Sequence, residues 1–179
     1  RGGAVYANPY TSATSVVAKI SNCIIEKNTS SLSAVYATFT PCGVTNLSND
    51  VDFENCVVRD NYSSTNSAFL FGGSSGYQIY SKGSLVGCLF YNNTSGASSV
   101  LNLTTSTSNG GGAAGIDVDV INCTFASNTG LDGNVITMAR ASNATFVNSI
   151  IYENGSTTPL LVTGTASTIT NCFIEGGQE

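Results

Sequence analysis

Apolar and polar residues alternate in short runs along this chain, and no stretch keeps the 3.6-residue spacing of an amphipathic helix. The runs VVAKIS at 16–21, VDFE at 51–54, SLV at 84–86, IDVDVI at 116–121, ATFV at 144–147 and STIT at 167–170 each lead into a short motif. That motif reads NCIIEKN at 22–28, NCVVRDN at 55–61, GCLFYNN at 87–93, NCTFASN at 122–128, NSIIYEN at 148–154 and NCFIEGG at 171–177. A second class of run follows each of the first five: AVYATF at 34–39, AFLF at 68–71, SVLNL at 99–103, NVITM at 134–138 and PLLV at 159–162. AVYA at 4–7 is of the same class.

Marked at Cys23, Cys56, Cys88, Cys123, Ser149 and Cys172, the six copies stand 33, 32, 35, 26 and 23 residues apart. Strand repeats at such steps, with no crossover helix, predict an all-β chain folded as a right-handed parallel β-helix. This solenoid has about six coils of three short strands and forms one domain over residues 1–179. Stacked at about 4.8 Å per coil, it makes a rod about 29 Å tall.

Alternation assigns the faces. Ala18 with Ile20, Val51 with Phe53, Val118 with Val120, and Ala144 with Phe146 are expected to point inward. Ile25, Val58, Phe90, Phe125, Ile151 and Ile174, each two residues past the Cys mark, form an inward column. One residue before the mark stand Asn22, Asn55, Gly87, Asn122, Asn148 and Asn171, and five after it Asn28, Asn61, Asn93, Asn128, Asn154 and Gly177. Asn or Gly in both columns predicts bends with left-handed backbone, and stacked amides that bond from copy to copy. Immediately after the mark, Ile24, Val57, Leu89, Thr124, Ile150 and Phe173 fall on the outside as an apolar stripe suited to assembly. If the bend resets the alternation, this stripe is core and the Cys column faces out. The intervening segments 8–14, 39–49, 72–83 and 104–115 vary most and read as loops.

Six Cys in a chain without His raise the question of a disulfide framework. Five share one position of the repeat, which favours a stacked column of reduced, buried thiols over strained bonds between neighbours. A column does not supply a tetrahedral metal site. Cys42 lies apart, in a loop. The absence of His also removes Ser-His-Asp and Cys-His nucleophile systems. Asp50 and Asp52, and Asp117 and Asp119, point outward at equivalent positions two copies apart, with Lys82 in register between Asp50 and Asp117 and Lys19 opposite Asp52. Glu26 faces Arg59, and Lys27 faces Asp60. Such pairs are ordinary cross-strand partners on an exposed sheet. No catalytic, cofactor or metal constellation is visible, and we expect no enzyme.

Only 9% of residues are charged, while 24 Ser and 21 Thr make up a quarter of the chain, a composition typical of secreted or surface β proteins. A net charge of -5 argues against a nucleic-acid partner. No apolar run is long enough for a transmembrane helix. Arg1 at the start, with repeats cut by both termini, leads us to expect a segment of a longer repeat protein. Nine Asn-x-Ser/Thr sequons occur, at Asn28, Asn46, Asn61, Asn92, Asn93, Asn102, Asn122, Asn143 and Asn154. Bend composition explains several, which leaves Asn46, Asn92, Asn102 and Asn143 as the better candidates for N-linked glycans.

Gly2-Gly3-Ala4-Val5 resembles the GGA(I/L/V) element, and Phe90-Tyr91-Asn92-Asn93 and Phe125-Ala126-Ser127-Asn128 resemble the FxxN element, of the chlamydial polymorphic outer-membrane protein repeats. Ile25–Asn28, Val58–Asn61 and Ile151–Asn154 are relaxed versions. The resemblance implies a right-handed β-helix displayed outside the cell as an adhesin or passenger stalk. We therefore expect an extracellular or cell-surface structural or adhesive rod that associates with itself or with a surface or matrix partner. The second expectation is a carbohydrate-active β-helix domain, either lyase- or hydrolase-like or sugar-binding.

Overall fold

The computed structural model describes residues 3–7, 17–38, 48–75, 80–96, 99–107, 115–131, 133–139, 142–155, 159–162 and 167–176. Among these the chain is all-β, without helices, and every strand pairing is parallel. Three six-stranded sheets each take one strand from successive copies of the repeat. The first contains Val5–Ala7, Val35–Thr38, Phe69–Ser75, Ser99–Thr107, Asn134–Ala139 and Leu160–Val162. The second contains Val17–Ser21, Ser48–Glu54, Tyr80–Val86, Gly115–Ile121, Ser142–Val147 and Thr168–Thr170. The third contains Ile24–Glu26, Val57–Arg59, Leu89–Tyr91, Thr124–Ala126, Ile150–Tyr152 and Phe173–Ile174. Several strands run further than the apolar runs alone indicated, into segments read as loops, because pairing with a neighbour satisfies the backbone of Gly72–Ser75 and Thr104–Thr107.

A fourth, three-stranded sheet was not foreseen: Thr29–Ser30, Tyr62–Ser63 and Thr94–Ser95, continued by a bridge from Thr94 to Thr129. These two-residue strands have no hydrophobic alternation for a sequence to show; they form because the copies above and below hold them in register.

The turn from second to third sheet is left-handed at all six copies, with φ of 55, 52, 63, 54, 50 and 52° at Asn22, Asn55, Gly87, Asn122, Asn148 and Asn171. Asn and Gly tolerate that region best, as the pattern required. The second bend differs from expectation. Its left-handed residues are Lys27, Asp60, Asn92, Ser127 and Glu153, each one place before the Asn column. Asn28, Asn61, Asn93, Asn128 and Asn154 are selected instead for their side-chain amides, as their hydrogen bonds show below.

Inward residues of the three sheets share one core. Val51, Phe53, Leu85, Val118, Val120, Ala144 and Phe146 come from the second sheet and Val58, Phe90, Phe125 and Ile151 from the third, with Phe69, Phe71, Leu101, Leu103, Ile136 and Met138 from the first. Phe90 and Phe125 stack with ring centroids 4.6 Å apart, and Phe53 meets Phe69 edge-on at 4.9 Å. Gly83 stands in register with Val51 and Val118, where a side chain would point inward. A Cβ there would lie 2.6 Å from Phe71 Cε1 and 2.9 Å from the Val51 carbonyl oxygen, so the Phe71 ring occupies the space that glycine leaves.

Candidate functional site

Two outer faces and two internal columns carry the side chains with chemistry. On the second sheet, Lys82 lies in register between Asp50 and Asp117, and Lys19, Asp52, Ser84 and Asp119 form the neighbouring outward column. A shallow depression of about 350 Å³ is lined by Asp50, Asp52, Lys82, Gly83, Ser84, Asp117 and Asp119. It exists because the middle strand carries the short side chain of Ser84 outward between Asp52 and Asp119 of the flanking strands. The Ser84 hydroxyl donates to Asp52, and Asn143 Nδ2 donates to Asp117 Oδ1 at 2.9 Å.

The foreseen ion pairs form only in part. Lys19 turns from Asp52 to Glu54, at 2.5 Å, and that hydrogen bond raises the Lys19 pKa. Lys82 makes no ion pair among the described residues, although strand register places it between two aspartates. Arg59 does bind Glu26, at 2.6 Å, and reaches Asp60 at 3.9 Å, whereas Lys27 makes no ion pair among the described residues. Register sets which residues are neighbours, and long side chains then choose among carboxylates within reach. No group of three or more Cys, Asp or Glu converges as a metal-ligand set among the described residues.

On the third sheet the apolar stripe faces outward. Ile24 is 64% exposed, Leu89 37%, Ile150 44% and Phe173 56%, while Val57 and Thr124 are half-buried. The stripe therefore stays outside while Cys56, Cys88 and Cys123 face in; inward positions step from Phe53 to Cys56 and then Val58, so the corner shifts the alternation by one residue. Two residues on, a second outward column runs Glu26, Arg59, Tyr91, Ala126 and Tyr152. Tyr91 and Tyr152 are exposed, and the Tyr152 ring lies 5.9 Å from Phe173. Glu153 beside the Tyr152 hydroxyl raises its pKa. One half of this face is thus a charged Glu26–Arg59–Asp60 network, and the other half is aliphatic and aromatic. Reading the stripe alone missed Tyr91 and Tyr152, which the two-residue step from Leu89 and Ile150 would have found.

The five described cysteines are free thiols, with Cys56, Cys88 and Cys123 buried. Cys42 lies outside the described residues. Cys56 Sγ donates to the carbonyls of Ile20 and Glu54, Cys88 Sγ to Phe53 and Val86, and Cys123 Sγ to Leu85 and Ile121, at 3.2 to 3.5 Å. Ser149 reproduces the pattern, with its Oγ on the Val120 and Val147 carbonyls. Burial pushes the Cys56 thiol pKa up. The hydrogen bond with Cys88, and then burial, pushes Cys123 up as well. These thiols are small buried donors in a fixed position, without the electropositive, accessible setting of a reactive cysteine.

The Asn column is a continuous ladder. Nδ2 of Asn28, Asn61, Asn93 and Asn128 donates to Oδ1 of the next Asn at 2.9, 2.9, 3.0 and 3.2 Å. The same Oδ1 atoms accept the backbone N–H of the preceding Asn. Of the glycan candidates, Asn92 and Asn143 are exposed. Asn102 is half-buried, and its Oδ1 is enclosed without a hydrogen-bond partner among the described residues. Asn46 lies outside them.

Comparison with protein-family models, with curated proteins and with solved structures finds no match to this chain. No helix of the described residues is long and apolar enough to cross a membrane.

Proposed function

We propose that the parallel sheets are the walls of a right-handed β-helix of about six coils, and that this chain works as an extracellular structural or adhesive rod. The observation that carries the reading is the outward apolar column of the third sheet, Ile24 to Phe173, widened by Tyr91 and Tyr152. A monomeric soluble surface rarely exposes so continuous an apolar strip, and exposed aromatics are common anchors at contact surfaces. The contact would be a host, matrix or identical partner laid along this face. The GGA(I/L/V) and FxxN elements, whose family resemblance implies display outside the cell, point the same way. Electron microscopy of native material combined with intact-mass analysis tests the proposal: rods or filaments, bound through this face, are expected. A compact monomer that binds no surface, and is unaffected by charge placed on the stripe, would sink it.

The depression on the second sheet favours one other reading, a carbohydrate-active domain. Asp52 and Asp119 flank Ser84 on alternate strands, so their backbones are about 9.6 Å apart by strand spacing. Inverting glycosidases hold their carboxyl groups about 6.5 to 9.5 Å apart, with a water between. Incubation with a panel of neutral and acidic polysaccharides separates the readings: product that disappears in both Asp52→Asn and Asp119→Asn would favour the enzyme over the rod.

A further inference from the structure

Seven of the nine sequons fall into two chemical classes; Asn102 is half-buried and belongs to neither, and Asn46 lies outside the described residues. Asn28, Asn61, Asn93 and Asn154 belong to the ladder, and each uses both hydrogens of its side-chain amide. Asn61 Nδ2 donates to the Ile25 carbonyl and to Asn93 Oδ1, both at 2.9 Å. Asn93 Nδ2 donates to the Val58 carbonyl at 2.8 Å and to Asn128 Oδ1 at 3.0 Å. Asn154 Nδ2 donates to the carbonyls of Phe125 and Tyr152, both at 2.9 Å. Asn28 Nδ2 donates to the Glu26 carbonyl and to Asn61 Oδ1. Asn61, Asn93 and Asn154 are 1, 0 and 7% exposed.

Asn92, Asn122 and Asn143 form the other class. All three are exposed. Asn92 uses one amide hydrogen, on Asp60 Oδ1, and Asn143 one, on Asp117 Oδ1. Asn122 uses neither among the described residues and stands exposed at the left-handed corner.

N-Glycosylation replaces one of the two amide hydrogens. C1 of the sugar leaves the pyrophosphate of a polyprenyl-linked oligosaccharide donor, the Nδ2–C1 bond forms, and one Nδ2 proton is lost. At a ladder Asn this removes a buried hydrogen bond and inserts a sugar where the next copy packs. At Asn92, Asn122 and Asn143 a hydrogen is free and the sugar enters solvent. We propose that glycosylation of the ladder sequons and folding of the repeat are mutually exclusive, so folded protein accepts N-linked glycans at Asn92, Asn122 and Asn143 and not at the ladder. Adjacent acceptors sharpen the choice, because a glycan on Asn92 hinders transfer to its neighbour Asn93. What the rod binds has no bearing on this.

The test is to secrete the whole chain from a eukaryotic cell line with N-glycosylation machinery and map sugar site by site. The soluble fraction, matched in circular dichroism to protein made in bacterial cytoplasm, is mapped against the fraction retained in the cell. Sugar at Asn92, Asn122 and Asn143 in the soluble fraction, with bare Asn61, Asn93 and Asn154, is the expected result. Thr94→Ala, Thr124→Ala and Thr145→Ala keep every Asn and should each remove sugar from one of the three. Sugar on a ladder Asn in folded protein, or bare Asn92, Asn122 and Asn143 in it, overturns the proposal. If nothing folded is secreted, ladder sugar in the retained fraction supports the exclusion and a bare ladder there overturns it.

Discussion

Asn61 and Asn93 are joined twice: Oδ1 of Asn93 accepts the Asn61 backbone N–H at 3.2 Å and its side-chain amide at 2.9 Å. Asn93 in turn holds the Val58 carbonyl and Asn128. Replacing it with Leu would leave several buried polar groups without partners, each costing about 1 to 3 kcal/mol. Asn93→Leu is expected to destabilise the chain by about 3 kcal/mol or more, measured by chemical denaturation, with losses near this central copy larger than those of Asn28→Leu at the edge.

The Cys column predicts tolerance of Ser, because Ser149 already makes the same two carbonyl contacts. Cys56→Ser is expected to fold with little change in stability at neutral pH. It should differ at alkaline pH. Burial raises the Cys56 pKa from the ordinary thiol value of 9.0 in the folded state. Stability from this group is then complete below that value and is lost as pH rises above it, since the unfolded chain releases the proton first. Equilibrium unfolding across that range should show a shallower decline for Cys56→Ser than for the parent chain.

Gly83 gives a steric prediction. Any Cβ must displace the Phe71 ring and the Val51 backbone, and the backbone has little room to move. Gly83→Ala is expected to cost about 1 to 3 kcal/mol through overpacking, read as a lowered unfolding midpoint. Gly83→Ala with Phe71→Leu should recover part of the loss, because only the ring contact is relieved.

The third-sheet stripe predicts the opposite separation of effects. Leu89→Lys and Ile150→Lys place charge on exposed positions, so stability should change by no more than about 0.5 kcal/mol. Association, followed by light scattering or by retention on a candidate surface, should fall sharply.

Periodicity along the sequence determined the strand positions, the parallel stacking and the residues that share a column. A two-residue alternation repeated at in-register copies fixes which side chains point inward once one copy is oriented. Ile25, Val58, Phe90, Phe125 and Ile151 were legible for that reason. Three things were decided only by the assembled sheets. The direction of Ile24 depended on how far the corner at Asn22 shifts the alternation, which local sequence leaves open. The left-handed residue of the second bend fell on Lys27, Asp60 and their equivalents, because ladder bonds between copies fix Asn28 and Asn61 and push the turn one place back. Gly83 looked like a loop residue until Phe71, from another sheet, filled its place. In each case the deciding contact joins residues of different strands, so spacing along the chain carries no record of it.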